Sequence, residues 1–204
     1  MGADASLPSH PYPADESSPF FWRTGAAFAD FTGNGLTDII TMSNGEVHGD
    51  VVERHATLFG QFPRADGGRA LRSLGPLRLT DGRLINDSTV TRAKHWTESM
   101  RAVDWDGNGK IDLVYNLAGT GEIYLLLNVG VEDGLPVFAP PRQFCCYGRP
   151  IAFTVHGPNC WPGDVNGDGH PDLMGCTEWS VYPIYSHAAL EMASHPTYTI
   201  EECY

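Results

Sequence analysis

Three nine-residue segments of this chain share one pattern, and that pattern limits how the chain can fold. Residues 30–38 read DFTGNGLTD (loop 1), residues 104–112 read DWDGNGKID (loop 2) and residues 164–172 read DVNGDGHPD (loop 3). Each begins and ends with aspartate and carries glycine at the fourth and sixth positions. Glycine permits tight turns, and apolar residues follow each segment, so each is predicted to form the tip of a β-hairpin.

The spacing of the loops indicates repeated sheets. Their first aspartates lie 74 and 60 residues apart (104 minus 30, and 164 minus 104). This spacing suits one four-stranded antiparallel sheet per repeat, with an insertion in the first. The predicted fold is therefore all-β, with about three four-stranded blades of the β-propeller type.

The same pattern divides the chain into segments. Blade 1 is assigned to residues 20–81, blade 2 to residues 82–147 and blade 3 to residues 148–204, after a flexible Pro/Ser-rich tail or linker at residues 1–19. Closed propellers have about four to eight blades, so three blades are expected to belong to a larger propeller or to an assembly of copies.

The oxygen-bearing side chains of the loops predict calcium sites. Ca²⁺ takes about six to eight hard oxygen ligands, which alternate residues of a tight loop can supply. An ordinary Asx-rich turn is the alternative, but three aligned copies with acids at the first and ninth positions favour metal. The predicted side-chain ligands of about three Ca²⁺ ions are Asp30, Thr32, Asn34 and Asp38 in loop 1, Asp104, Asp106, Asn108 and Asp112 in loop 2, and Asp164, Asn166, Asp168 and Asp172 in loop 3.

The loops differ in charge. Loop 1 has two carboxylates among its four predicted side-chain ligands, whereas loops 2 and 3 have three each. Because calcium affinity rises with ligand charge, loop 1 should be the weakest site. No acid stands at the twelfth position and the flanks resemble strands, so these are not EF-hands.

The chain resembles the integrin-α-like FG-GAP and VCBS repeat family, and the resemblance extends from Phe20 to Tyr204. It implies calcium loops on short hairpins of a propeller with about seven or eight blades. It also implies that the seventh residue of each loop supplies a backbone carbonyl; these residues are Leu36, Lys110 and His170. Thr32 departs from the acid or amide that is usual at the third position.

Charge and hydropathy exclude some partners. Thirteen Lys and Arg against 25 Asp and Glu give a formal charge of −12, so nucleic acids and anionic membrane surfaces would be repelled. No run approaches the roughly 20 apolar residues that span a bilayer. Residues 1–19 lack the apolar core of a signal peptide, so an extracellular or periplasmic location requires an export signal that is missing from this chain.

The cysteines suggest one pairing. Cys160 lies four residues before Asp164, and Cys176 lies four residues after Asp172. This symmetry predicts a cross-strand disulfide, with two buried free thiols as the alternative. The pairing of the other three, Cys145, Cys146 and Cys203, is open.

Aromatic residues recur at one position of each repeat. Trp22, Trp96 and His156 each lie eight residues before the first aspartate of a loop. They can pack between blades or form a row of rings that binds sugar, together with Trp161 and Trp179.

No catalytic template fits this sequence. His95, Glu98, Arg101, His156, Glu178 and His187 are loose candidates only, and nucleophile-elbow, zincin and phosphate-loop motifs are absent. Three functions stay open: a non-catalytic calcium-stabilised module for a polysaccharide or protein ligand, a polysaccharide lyase or other carbohydrate-active enzyme, and a structural spacer of a larger secreted protein. For the enzyme the sequence offers His156 and Arg101, but no catalytic constellation. Self-association or additional blades from a longer chain are also expected.

Overall fold

The computed structural model describes residues 25–48, 51–90, 97–117, 120–153, 159–176 and 183–193. Blade 1 is one antiparallel sheet whose strands are hydrogen-bonded in chain order. Its strands are β1 (Ala26–Ala29), β2 (Asp38–His48), β3 (Val51–Pro63) and β4 (Arg69–Pro76). A short strand β5 (Arg78–Leu79) and a single helical turn α1 (Asp87–Val90) then lead towards blade 2.

Blade 2 is antiparallel but is interrupted by a hairpin. Its main strands are β6 (Thr97–Val103), β7 (Asp112–Leu117) and β8 (Ile123–Leu126), followed after the hairpin by β11 (Arg142–Cys146) and β12 (Arg149–Pro150). The hairpin consists of β9 (Asn128–Glu132) and β10 (Leu135–Phe138). It leaves the blade and forms a separate sheet in which β10 pairs with β5 in parallel.

Blade 3 has three described strands in antiparallel order. They are β13 (Asn159–Gly163), β14 (Asp172–Cys176) and β15 (Ile184–Tyr185). After a 3₁₀ turn at His187–Ala189, strand β16 (Leu190–Met192) pairs with β11 of blade 2. The chain thus returns from blade 3 and is hydrogen-bonded to the previous blade.

The first strands of the three blades lie side by side, with β6 against both β1 and β13. Blades 1 and 2 enclose one apolar core, in which Ile40 and Leu58 of blade 1 meet Leu113 and Tyr115 of blade 2. Blades 2 and 3 enclose a second core, which includes Val114 and Leu173. The prediction of an all-β chain with propeller-type blades is confirmed.

The register at each hairpin corrects the predicted disulfide. The ladder closes on the residue before the loop, so Gly163 pairs with Asp172, Cys160 with Gly175 and Asn159 with Cys176. The prediction of a Cys160–Cys176 bond is wrong, because it measured symmetry from Asp164, which lies outside the ladder. Cys160 is fully buried, and its sulfur lies 3.5 Å from the Ser99 hydroxyl oxygen.

This register predicts the state of the Cys160 thiol. When the protein is denatured without reductant in the presence of iodoacetamide, we expect Cys160 to be alkylated, and when the native protein is treated it should be protected by burial. Peptide mass spectrometry measures both. A disulfide-linked peptide containing Cys160 and Cys176 would contradict the register.

In the described part of the chain, no helix has the length and apolar character needed to cross a membrane.

Candidate metal centres

Each loop is shaped by two glycines with positive φ. In loop 2, Gly107 has φ 71° and Gly109 has φ 81°, and the equivalent glycines of the other loops are similar. A side chain at these positions would be strained, because L-residues rarely adopt this conformation. The fourth and sixth positions of the pattern therefore set the turn that brings the polar side chains together.

The first aspartate of each loop accepts hydrogen bonds from the loop's own backbone. Asp104 receives the amide of Asn108 at 3.1 Å on Oδ1 and that of Gly109 at 2.9 Å on Oδ2. Asp30 receives the equivalent amides of loop 1 at 3.0 and 2.7 Å, and Asp164 those of loop 3 at 3.1 and 2.9 Å. The loop backbone thus curls around this carboxylate.

In each loop, the side chain of the fifth residue holds the backbone of the seventh residue in place. Its side-chain oxygen accepts the backbone N–H of the seventh residue in every loop, in the manner of an Asx turn. The three distances are 2.8 Å for Asn34 to Leu36, 2.8 Å for Asn108 to Lys110 and 2.9 Å for Asp168 to His170.

The ninth aspartate joins the loop to the third strand region of its blade. Asp112 accepts the backbone N–H of Trp105 at 2.9 Å and that of Asn128 at 2.7 Å. Asp38 accepts the amides of Thr32 and Gln61, and Asp172 accepts those of Val165, Asn166 and His187. Asp38 and Asp112 are 0% exposed, and Asp172 is 1% exposed. These buried carboxylates therefore also link each loop to the rest of its blade.

The charge of Asp112 is poorly compensated. Burial raises the pKa of this carboxyl group, the amide donors from Asn128 and Trp105 oppose the shift, and the neighbouring charges of Asp106 and Asp104 add to it. The pKa of Asp172 is instead lowered, chiefly by the backbone N–H of His187. A cation beside Asp112 would therefore relieve both desolvation and like-charge repulsion.

The loop side chains converge as calcium would require. Ligand oxygens of Asp104, Asp106 and Asp112 all lie within 4.8 Å of one another. In loop 1, the hydroxyl oxygen of Thr32 is buried and has no hydrogen-bond partner among the described residues. The donors are hard oxygens, the set that suits Ca²⁺ rather than softer metals. The residues present fit a calcium ion.

In loop 3 the predicted ligand side chains are held close by one amide. Asn166 Nδ2 lies 3.0 Å from Asp168 Oδ2 and 3.4 Å from Asp172 Oδ1. A cation between these oxygens would replace the amide as the group that balances their negative charge.

Of the predicted ligand-binding aromatics, the structure describes Trp161. This residue lies on β13 and is 48% exposed, with the Arg101 guanidinium 4.1 Å from its ring centroid and bonded to Asn159 Oδ1 at 3.0 Å. The other four, Trp22, Trp96, His156 and Trp179, lie outside the described residues.

The loose catalytic candidates are not brought together where the structure describes them. The His187 ring is 5.0 Å from the Trp105 ring, and its Nδ1 is 3.0 Å from the Pro171 carbonyl oxygen. Arg101 lies beside Trp161. His95, His156 and Glu178, and the side chain of Glu98, lie outside the described residues.

Sequence reasoning missed one cluster, at the second residue of loop 2. Trp105 is 6% exposed and packs edge-on against Phe144 at 4.8 Å while stacking on His187. A large apolar residue between two predicted ligands was the available signal. Its packing joins loop 2 to the segment that follows β15, and so joins blades 2 and 3.

Comparison with known families decides the repeat type. Residues 104–175, from the start of loop 2 through loop 3 and into β14, match the FG-GAP-like repeat family. This stretch is therefore similar to an FG-GAP-like repeat. The predicted resemblance to FG-GAP repeats is confirmed over that stretch, and the loops of the repeat are the two with three carboxylates. Comparisons with curated proteins and with solved structures gave no match.

Proposed function

We propose that this chain is a calcium-stabilised propeller module that binds a polysaccharide or protein ligand outside the cell or in the periplasm. The observation that carries the calcium proposal is the convergence of Asp104, Asp106 and Asp112 in a loop whose fold recurs twice more. Aspartates that only closed solvated turns would not need to bring their carboxylate oxygens close to one another.

Calcium would act here by neutralising charge and by joining strands. The first, third, fifth and ninth residues of each loop would supply side-chain oxygens and the seventh a carbonyl. Three ions would change the formal charge from −12 to −6. Because a ligand that binds only the folded chain stabilises it, folding should depend on calcium.

The effect of Thr32 on loop 1 gives a test of this role. Replacing Thr32 by aspartate adds the carboxylate that loop 1 lacks, and we expect its calcium affinity to rise by about tenfold, since affinity follows ligand charge. In chelator the variant should be less stable than the parent, because the added charge is uncompensated. Calcium titrations with thermal unfolding measure both effects.

Ser73→Asp is the matched control, because it adds the same charge at an exposed position on β4, outside the loops. It should leave calcium affinity unchanged. Equal responses of Thr32→Asp and Ser73→Asp would show that general charge, and not a site in loop 1, sets the calcium dependence.

The ligand class is tested with a panel of uronate-containing and neutral polysaccharides, supplemented by candidate protein ligands. We expect retention of the protein on one or more ligands without turnover. Ultraviolet absorbance from an unsaturated product would favour the lyase, and neither binding nor product would favour the spacer. Trp161→Ala removes the exposed indole ring that lies beside Arg101. Comparing the retention of this variant with that of the parent tests whether the pair contributes to sugar binding.

A further inference from the structure

The outer strand of the β9–β10 hairpin has an open edge. In the sheet ordered β5, β10, β9, the strand β9 is paired on one side only, with β10. No other described strand pairs with it. Because an edge strand presents backbone N–H and C=O groups that a further strand can pair with, β9 can accept one more strand.

The register of the hairpin determines which backbone groups face this edge. Val131 lies opposite Pro136. Proline has no N–H, so these two residues cannot exchange ladder hydrogen bonds, and they form a pair of the antiparallel ladder that is not hydrogen-bonded. The N–H and C=O of Val131 therefore point away from β10, and no described residue hydrogen-bonds to either group.

The side chains beside the open edge are apolar. Val129 is 51% exposed and Val131 is 69% exposed. Together with Val137 of β10 and with Thr80, they line an open groove of about 390 Å³. Sheet edges are usually blunted by bulges, lysine or proline, and β9 has a bulge beside Asn128 but neither lysine nor proline. Unpaired backbone groups beside alternate apolar side chains suit an extended peptide.

The tip of the hairpin is acidic and is held in one shape. Asp133 has φ 50° and Gly134 has φ 79°, the positive values that a two-residue type I′ turn requires. Glu132 and Asp133 are exposed, and neither forms an ion pair with a described residue. Basic residues of a partner would meet these two carboxylates, whereas a second copy of this chain, with a formal charge of −12, would bring like charge to the contact.

We propose that β9 binds an extended peptide segment of a partner protein as an added strand. The segment has apolar side chains at alternate positions, which fit the groove, and lysine or arginine beside them, which meets Glu132 and Asp133. In this recognition mode, backbone hydrogen bonds supply affinity and the alternate side chains supply specificity. The inference rests on the protein-ligand form of the proposed function, and it names the strand and the chemistry of the peptide.

A synthetic peptide tests the binding directly. The probe is fluorescently labelled acetyl-KKVTVTVKK-amide, measured by fluorescence anisotropy with the calcium-loaded protein in about 0.15 M salt. We expect a dissociation constant of about 10 to 100 μM. The same peptide with N-methylated backbone amides keeps its charge and loses its donors, so it should bind at least about tenfold more weakly. Absence of binding at about 1 mM protein, or equal binding of the two peptides, would overturn the proposal.

Substitution at Val131 tests whether β9 is the strand that pairs with the peptide. Val131→Pro removes the outward N–H and no ladder hydrogen bond, and it should lower the affinity for the peptide by about tenfold or more. Val131→Thr is the matched control, because it keeps the N–H and a β-branched side chain, and its affinity should stay within about threefold of that of the parent. Circular dichroism checks that both variants fold. Equal affinities of the two variants would overturn the assignment to β9.

Neutralising the tip tests the chemistry of the peptide. The double variant Glu132→Gln and Asp133→Asn should bind the peptide about threefold more weakly or worse, since each exposed ion pair contributes modestly. An unchanged affinity would contradict the basic character assigned to the partner segment.

Other outcomes separate this inference from the alternatives. A dimer of the parent protein that Val131→Pro dissociates, seen by light scattering, would show that a second copy occupies the edge and would overturn the peptide proposal. If the peptide does not bind while calcium stabilises the chain and another ligand is retained, this inference fails and the proposed function does not. Peptide binding by a chain that calcium does not stabilise would be the reverse case.

Discussion

Replacement of Asp112 by alanine is expected to lower the free energy of unfolding by about 2 to 6 kcal/mol in chelator, before any metal effect. The carboxylate is 0% exposed and accepts the amides of Trp105 and Asn128. Alanine would leave two buried N–H groups without an acceptor, and each such group costs about 1 to 3 kcal/mol. Urea unfolding in chelator measures the loss, and calcium should no longer bind to loop 2.

Two further variants separate the structural and metal roles of this position. Asp112→Asn keeps one oxygen and removes the repulsion from Asp104 and Asp106, so its cost in chelator should be smaller than that of alanine while calcium binding is still weakened. Asp106→Asn alters an exposed predicted ligand and should affect calcium binding with little change in chelator. If Asp112→Ala were as stable in chelator as Asp106→Asn, the structural role would be wrong.

Replacement of Trp105 by alanine should cost about 3 to 5 kcal/mol, the usual range for removing a buried large aromatic residue. Its ring is packed between Phe144 and His187, where loop 2 meets the segment after β15. The amide of Trp105 still donates to Asp112 in the variant, so loop 2 should retain its shape. Denaturant unfolding measures the loss.

Trp161→Ala is the matched control for Trp105→Ala, because it removes the same side chain from a 48% exposed position. Apart from its contact with Arg101, little packing is lost, and we expect a cost of about 1 kcal/mol or less. Equal costs for the two variants would contradict the assignment of Trp105 to the core between blades 2 and 3.

The loops could be predicted because their information is local. Glycines at fixed positions set the turn, and acids at fixed positions set the polar cluster, so the pattern predicts both. Asp38 and Asp112 also accept backbone N–H groups from outside their loops, and the loop pattern does not predict this second role. Their partners, Gln61 and Asn128, lie 23 and 16 residues away, and only the folded third strand region brings those amides to the carboxylates.

The errors in strand layout have a similar cause. One four-stranded sheet per repeat was predicted, but in blade 2 the hairpin β9–β10 interrupts the sheet and pairs with β5 instead. The pairing of β16 with β11 of blade 2 was also not predicted, because it depends on contacts between blades. The predicted limits of the tail and blades stay predictions.

The Cys160 error shows how sensitive strand pairing is to a single residue. Counting from the loop ends placed Cys160 opposite Cys176, but the ladder closes between Gly163 and Asp172, one residue earlier. Because side chains alternate between faces along a strand, a shift of one residue changes which pairs can meet. The loop pattern predicts the hairpin and leaves its register undetermined.

Calorimetric titration of Ca²⁺ into chelator-treated protein, with thermal unfolding of the same samples, tests the central claim most directly. The account predicts binding of about three equivalents, with loop 1 the weakest, and a clear rise in the unfolding temperature. Absence of both heat and stabilisation would contradict it, and would reduce the three loops to turns closed by their own aspartates.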